Sequence, residues 1–285
     1  MSAQPNLRIL SLSCPDRPGL VAAVAGCLHE NHCNIEEAAQ FNDQLSGRFF
    51  MRVVFRPKSD QALQDFHTAF TALSDTLDMN WTLHNTAEKV RTAIMVSQWD
   101  HCLNDLLYRT HTDHLPLEIT AIISNHEEAA EHAARHGIRF HHMHVRPENK
   151  KEQESEQIRM LDETNTELII LARYMQILSN SFCARYPGRI INIHHSFLPG
   201  FKGAKPYTQA YERGVKLIGA TAHFVTADLD EGPIIAQDVQ SVDHSYTPQK
   251  MQALGRDIEA LTLARAVQLY GERRIFLEGL RTVIL

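Results

Sequence analysis

Arg189-Ile190-Ile191-Asn192-Ile193-His194-His195-Ser196-Phe197-Leu198-Pro199-Gly200 decides how this chain folds. An apolar run leads into a polar loop closed by Pro and Gly, which reads as a buried strand that ends at the surface. The same grammar returns in His223-Phe224-Val225-Thr226-Ala227-Asp228-Leu229-Asp230-Glu231-Gly232-Pro233-Ile234-Ile235. Asn192 and His194 are two positions apart, so on a strand they share a face. Asp230 falls on the loop before Gly232-Pro233. An amide, an imidazole and a carboxylate at strand ends suit acyl-group chemistry. Asn192 can donate to a developing oxyanion. His194 can exchange a proton or bring positive charge near it. Asp230 can orient the imidazole, or position and deprotonate a water. Taken singly, Asn192 and Asp230 read more readily as turn formers, and His194 as a locally satisfied imidazole. Ser196 lacks the G-x-S-x-G elbow, so direct attack on a bound carbonyl by water or an amine fits better than an acyl-enzyme. His195 is expected on the opposite strand face, as a neighbour.

Working outward, strands are expected at Thr92–Val96, Leu117–Ser124, Arg139–Val145, Glu167–Ala172 and Ile190–His194. Helices are expected between them, around Leu103–Leu107, at Glu127–His136 before Gly137, at Lys150–Glu163 and at Ser179–Tyr186. This alternation predicts an α/β, doubly wound, mostly parallel sheet with ligands at the carboxyl ends of its strands. The charge-rich Lys150–Glu163 reads as a solvated helix face. Beyond it come a helix at Tyr207–Arg213, strands at Val215–Val225 and Ile234–Asp243, a long helix at Pro248–Tyr270 and a short strand within Ile275–Leu285.

The first part of the chain has a different rhythm. Strand Leu7–Ser13 breaks at Cys14-Pro15-Asp16-Arg17-Pro18-Gly19, and helical spacing starts at Leu20. Strands Asn34–Phe41 and Arg48–Phe55 flank a turn at Asn42–Gly47. Helix Asp60–Leu77 and strand Asn80–His84 complete a β-α-β-β-α-β order, the ferredoxin-like split pattern. Polar Thr86–Arg91 reads as a linker. The expected division is a domain over 1–85, a linker over 86–91 and a larger domain over 92–285.

The 285 residues carry a net charge of −6, which argues against nucleic acid as a partner. No secretory signal is read at the start, and no apolar run approaches the length of a membrane span. The five cysteines form no CxxC pair, and a reducing cytoplasm is the expected setting. His141-His142-Met143-His144 offers alternate imidazoles without a Cys or close carboxylate to complete a shell, so no metal is expected.

With Asp16-Arg17-Pro18-Gly19-Leu20 in the first loop and Asn34-Ile35 opening the next strand, about Asn6–Asn85 resembles an ACT domain. The resemblance implies pairing between subunits, hence a homo-oligomer, and an amino-acid or other small effector near Asp16, Arg17, Pro18, Gly19 and Asn34. The alternative is a Pro-stiffened turn that serves assembly alone.

From about Thr92 to Tyr270 the chain resembles the folate-dependent formyltransferases. The likeness rests on Asn192-Ile193-His194 with Ser196-Phe197-Leu198-Pro199, and on His223-Phe224-Val225 with Leu229-Asp230-Glu231-Gly232-Pro233-Ile234-Ile235. It implies Asn192, His194 and Asp230 as the catalytic set. It also implies a folate pocket along Ala172-Arg173-Tyr174-Met175-Gln176-Ile177-Leu178, with Val225 beside it. Apart from the resemblance, that segment reads as a core strand entering a turn. Lys202 and Lys205 are candidates to meet the folate's glutamate tail, or are solvated loop lysines.

Within this group the first strand runs into Ser97-Gln98-Trp99-Asp100-His101-Cys102, which lacks the glycines of a phosphate cradle and carries an acid. Ribonucleotide acceptors are therefore disfavoured. The pairing of an ACT-like and a formyltransferase-like domain, together with Phe201-Lys202-Gly203-Ala204-Lys205-Pro206-Tyr207, is similar to the formyltetrahydrofolate deformylases. That likeness implies hydrolysis of 10-formyltetrahydrofolate to formate and tetrahydrofolate with no cofactor, supplying formate for purine synthesis and balancing folate pools. Transfer to an amine, or a catalytically silent effector sensor, are the competing readings.

Overall fold

A computed structural model of the chain describes residues 6–198 and 206–285. Alternating apolar residues build the first sheet. β1 (Arg8–Pro15) turns Leu10, Leu12 and Cys14 inward at its period of two. Gly19, at φ 92, reverses the chain where a Cβ would be strained, and α1 (Leu20–Glu30) starts behind it. β2 (Cys33–Asp43), β3 (Arg48–Pro57), α2 (Asp60–Leu77) and β4 (Asn80–Asn85) follow. The strands lie in the order β2-β3-β1-β4, each pair antiparallel. This is the expected ferredoxin-like unit. Its helical side is held by Phe55, Phe66, Phe70 and Trp81, whose successive ring centroids are 5.0, 5.2 and 5.1 Å apart.

The larger sheet uses β5 (Val90–Val96), β6 (Leu117–Ser124), β7 (Phe140–His142), β8 (Leu168–Ala172), β9 (Ile190–His194), β10 (Leu217–Phe224) and β11 (Ile234–Ser241). Its order is β11-β10-β9-β8-β5-β6-β7. The strands from β9 to β7 are parallel, whereas β10 runs antiparallel to both β9 and β11. β8 is buried throughout, as a central parallel strand must be. The connecting helices are α3 (His101–His111), α4 (Ala130–Arg135), α5 (Lys150–Glu163), α6 (Asn180–Arg185), α7 (Pro206–Glu212) and α8 (Pro248–Gly271). From β5 the chain winds to β6 on one side, and β8 returns on the other. That reversal opens a crevice at the carboxyl ends of β5 and β8, where doubly wound folds hold ligands.

Two expectations need correction. α5 is not merely a solvated face: Glu154, Gln157, Met160 and Leu161 are buried. The C-terminal segment forms a hairpin, β12 (Ile275–Glu278) and β13 (Arg281–Ile284), turning at Gly279 with φ 60, where one strand was expected. The chain divides into two compact units. One is Met1–Lys89 with Glu272–Phe276 and Val283–Leu285; the other is Val90–Gly271 with Leu277–Thr282. In the first, Arg52 donates to the Glu272 carbonyl at 3.0 Å and Phe50 meets Phe276 edge-on at 5.6 Å. Among the described residues, no helix is long and apolar enough to cross a membrane.

Candidate active site

Asn192 and His194 share one face of β9, as their spacing requires. The ladder with β10 sets His223 opposite Asn192 and Thr221 opposite His194. Asn192 Nδ2 and His223 Nε2 are 3.2 Å apart as a result. A bulge between Ala222 and His223, on the β11 side, re-aims this end of β10. His223 Nδ1 lies 2.9 Å from the Phe224 carbonyl, which can only accept, so Nδ1 carries a proton. His223 Nε2 then accepts from the Asn192 amide in the neutral ring, or donates toward Asp230 in the charged one.

Asp230 reaches this pair through a tight return of the chain. Phe224 N donates to the Pro233 carbonyl at 2.9 Å, which folds the loop onto the end of β10. Gly232 makes this approach possible: a Cβ there would sit 1.8 Å from the Phe224 carbonyl oxygen. Asp230 itself has φ 57, a left-handed conformation that Asp tolerates better than most residues. Its Oδ1 lies 3.3 Å from His194 Nδ1 and 3.6 Å from His223 Nε2. His194 first and His223 second hold the Asp230 carboxyl well below the usual carboxylate range, against the opposing effect of burial. With Nδ1 turned to Asp230, His194 Nε2 is left buried without a hydrogen-bond partner among the described residues.

Asn192, His194 and Asp230 line one cleft of ≈ 320 Å³. Tyr174, Met175, Gln176, Ile177, Leu178 and Val225 line it too, so they share the cleft with these three side chains. Met175 and Ile177 stay exposed, at 58% and 61%. They present apolar surface for a flat ligand to cover. The loop is pinned from below. Met175 N donates to Ser97 Oγ at 2.9 Å, and Ser179 N donates to Glu154 Oε1 at 2.9 Å. Gln157 donates to the Tyr174 hydroxyl at 3.2 Å, and burial pushes that phenol up to about 12. The buried polar face of α5 thus supports the pocket. Lys202 and Lys205 lie outside the described residues.

Sequence reasoning missed His223, although it stood in the quoted motif. It also set His195 aside. His195 stacks on His194, with centroids 4.9 Å apart and planes 19° apart, and it lines the cleft. Arg173 Nη1 donates to His195 Nδ1 at 2.7 Å, and Arg173 Nε is 3.4 Å from Glu259 Oε2. Glu259 is 1% exposed. It also pairs with His101 Nε2 at 2.9 Å and accepts from the Tyr207 hydroxyl at 2.8 Å. Burial works to raise its carboxyl. The His101 hydrogen bond, the Arg173 charge and the Tyr207 hydrogen bond outweigh that and hold it below its ordinary value. His101, Cys102 and Glu259 bring ligand-type atoms within 4.8 Å of one another. The carboxylate is already met by two hydrogen-bond partners, His101 and Tyr207, and the adjacent Arg173 guanidinium opposes a cation, so this set fits a charge and hydrogen-bond hub better than a metal.

The expected effector residues are only partly brought together. Asp16, Arg17, Pro18 and Gly19 form one exposed turn. There Asp16 accepts from Asn42 at 2.9 Å and Arg17 donates to the Leu77 carbonyl at 3.1 Å. Asn34 does not join them within the chain. It pairs with Arg56, whereas Pro15 pairs with Arg48, at the other end of β3. Eight positions along a strand is roughly 26 Å.

Comparisons with known proteins agree with this geometry. The formyl transferase family model matches residues 90–267, and the ACT domain model matches 8–70. A formyltetrahydrofolate deformylase of Corynebacterium sp. (strain P-1) is 46% identical, over 97% of this chain and 97% of its own. The chain belongs to the formyltetrahydrofolate deformylase family. The crystal structure of a formyltetrahydrofolate deformylase from Burkholderia mallei superposes with TM-score 0.94 at 50% identity, covering 99% of this chain and 100% of its own. That of glycinamide ribonucleotide transformylase 1 from Symbiobacterium toebii gives TM-score 0.66 at 31% identity, covering 72% of this chain and 98% of its own. The transformylase therefore matches only part of this chain, whereas the deformylase spans both units.

Proposed function

We propose that the chain hydrolyses 10-formyltetrahydrofolate to formate and tetrahydrofolate. The reading rests on one observation above the rest. His194 is oriented through Nδ1 by an ionised Asp230, while its buried Nε2 is left for a group in the cleft. In this reading the pterin lies along Tyr174–Leu178 and Val225, with Lys202 and Lys205 near the glutamate tail. Asn192 donates to the formyl oxygen. His194 stabilises the tetrahedral oxyanion and protonates the departing N10. Asp230 orients His194 and accepts a proton from the attacking water. No cofactor takes part.

Water is favoured over a phosphorylated amine by the start of α3. Asp100 stands at its N-cap, and His132 pairs with that carboxylate at 2.9 Å. An acid there occupies the end of the helix that would otherwise attract phosphate. Trp99 lies beneath the Arg256 guanidinium at 4.3 Å and fills the same loop with side chains.

The first unit, over about 1–85, would serve assembly into a homo-oligomer and binding of a small effector at the Asp16–Gly19 turn. The second unit would carry the chemistry, and its formate would feed purine synthesis in the cytoplasm. Incubation with 10-formyltetrahydrofolate and no amine tests the central claim. Stoichiometric formate and tetrahydrofolate support it; turnover that appears only when an amine is added refutes it.

A further inference from the structure

The buried hub on α8 reaches the active site through a chain of contacts that the hydrolytic reading does not use. We propose that Arg173, anchored by Glu259, is a positioning residue: it fixes His195 as the Nε2–H tautomer and holds that ring flat against His194. The inference rests on the hydrolase reading for its kinetic consequences, but not for its geometry.

Three observations carry it. First, a guanidinium only donates, so the 2.7 Å contact from Arg173 Nη1 requires a lone pair on His195 Nδ1. The proton of the neutral ring is then on Nε2. Second, the arrangement bears local costs that folding alone does not need. Arg173 has φ 63, just past the end of β8, where a residue with a Cβ is strained. Gly255 interrupts the 24-residue helix α8, one turn before Glu259. A Cβ at Gly255 would sit 1.9 Å from the Tyr207 hydroxyl oxygen, so this glycine makes room for the bond from Tyr207 to Glu259. Third, the charged neighbours of His195 all act through this constellation. They are Arg173 after β8, His194 on β9, Asp230 on the loop before β11 and Glu259 on α8. Burial first, then Arg173 and His194, lower the His195 imidazole to about 4, against the weaker opposing pull of Glu259 and Asp230.

The consequence falls on His194. To stabilise the oxyanion and then protonate N10, the His194 ring must itself carry positive charge. A second charged imidazole stacked 4.9 Å away would oppose that charge, whereas a neutral one does not. Arg173 keeps its own positive charge beside His195, and Glu259 balances it. Neither needs to touch the substrate.

The test compares wild type with Arg173→Met, Glu259→Gln and His195→Asn in the full chain. Formate release by the wild type at pH 8 is measured first; its absence sinks the hydrolase reading and leaves the positioning claim to spectroscopy. The imidazole nitrogen resonances of His195, assigned with His195→Asn, should report a neutral Nε2–H ring down to pH 5.5 in the wild type. In Arg173→Met the ring should titrate above its wild-type position but below its ordinary value, because burial and His194 still oppose its charge. The wild-type to variant ratio of kcat should therefore grow as pH falls from 8 to 5.5, by about twofold where half of the variant rings are charged at pH 5.5. KM should move little. Adding His195→Asn to Arg173→Met should abolish this growth. Glu259→Gln removes the opposing pull and should not raise the titration of the ring. Should Arg173→Met not fold, Arg173→Gln, also uncharged, should shift both readouts in the same direction. A ratio constant with pH, or a His195 titration unmoved in the Arg173 variants, overturns the proposal.

Discussion

Gly232→Ala tests how Asp230 is placed. The added methyl carbon would lie 1.8 Å from the Phe224 carbonyl oxygen. Such a contact relaxes at about 3.3 Å, so something must retreat by about 1.5 Å. The oxygen cannot easily do so, because it ends β10 and accepts from His223 Nδ1 at 2.9 Å. The loop moves instead, and with it Asp230, two residues upstream. A misplacement of about 1 Å in a catalytic constellation costs about 100-fold in rate. We expect kcat for formate release to fall about 100-fold in Gly232→Ala, with a much smaller change in KM, because the wall of the cleft at Tyr174–Leu178 is untouched. Overpacking should also cost about 1–3 kcal/mol of stability, read from thermal or urea denaturation. Turnover within threefold of wild type, from a protein of unchanged stability, would refute this account of Asp230.

Asp230→Asn keeps the shape but removes the charge that orients His194, and kcat should fall by about 10²–10⁴ at every pH tested; near-normal turnover would sink the role given to Asp230. Gly255→Ala should drive the Tyr207 hydroxyl away from Glu259 and cost about 1–3 kcal/mol, measured by denaturation. Stability should also fall in acid, for two reasons of the same sign. The folded His195 resists protonation down to about 4, whereas the unfolded ring binds its proton near 6.5. Between pH 7.5 and pH 5 this removes about 2 kcal/mol, seen as a lower denaturation midpoint. Asp230 adds stability that is present above its unfolded value and is lost as pH falls toward the depressed folded one. A midpoint that is flat from pH 7.5 to pH 5 would contradict the His195 assignment.

Much of the fold is written locally. The change from a split βαββαβ rhythm to alternating strands and helices marks both architectures, because burial periodicity and turn residues are nearest-neighbour properties. α2 and α5 span the expected residues for that reason. What α5 buries was not legible. Its charge hides a face on which Glu154 and Gln157 are spent on Ser179 and Tyr174, partners known only once the chain has folded. Asn192 and His194 are legible as a pair because strand geometry alone puts them on one face. The convergence of Asp230 depends on a left-handed residue, a glycine approach and a β-bulge, none of which leaves a periodic trace. His195 was expected on the opposite face for a related reason. The alternation of side chains ends with the strand at His194, and His195 is already turning.

The position of Glu259 in the chain has a consequence for assembly. Asn192, His194, His223 and Asp230 all lie on β9, β10 and the loop that follows, so pairing these two strands gathers them. Glu259 arrives only on α8. During synthesis these four side chains can therefore meet before Glu259 exists. A nascent chain halted ahead of α8 would present the set without a fixed neighbour for His194, and full hydrolytic competence would wait for the last long helix to dock.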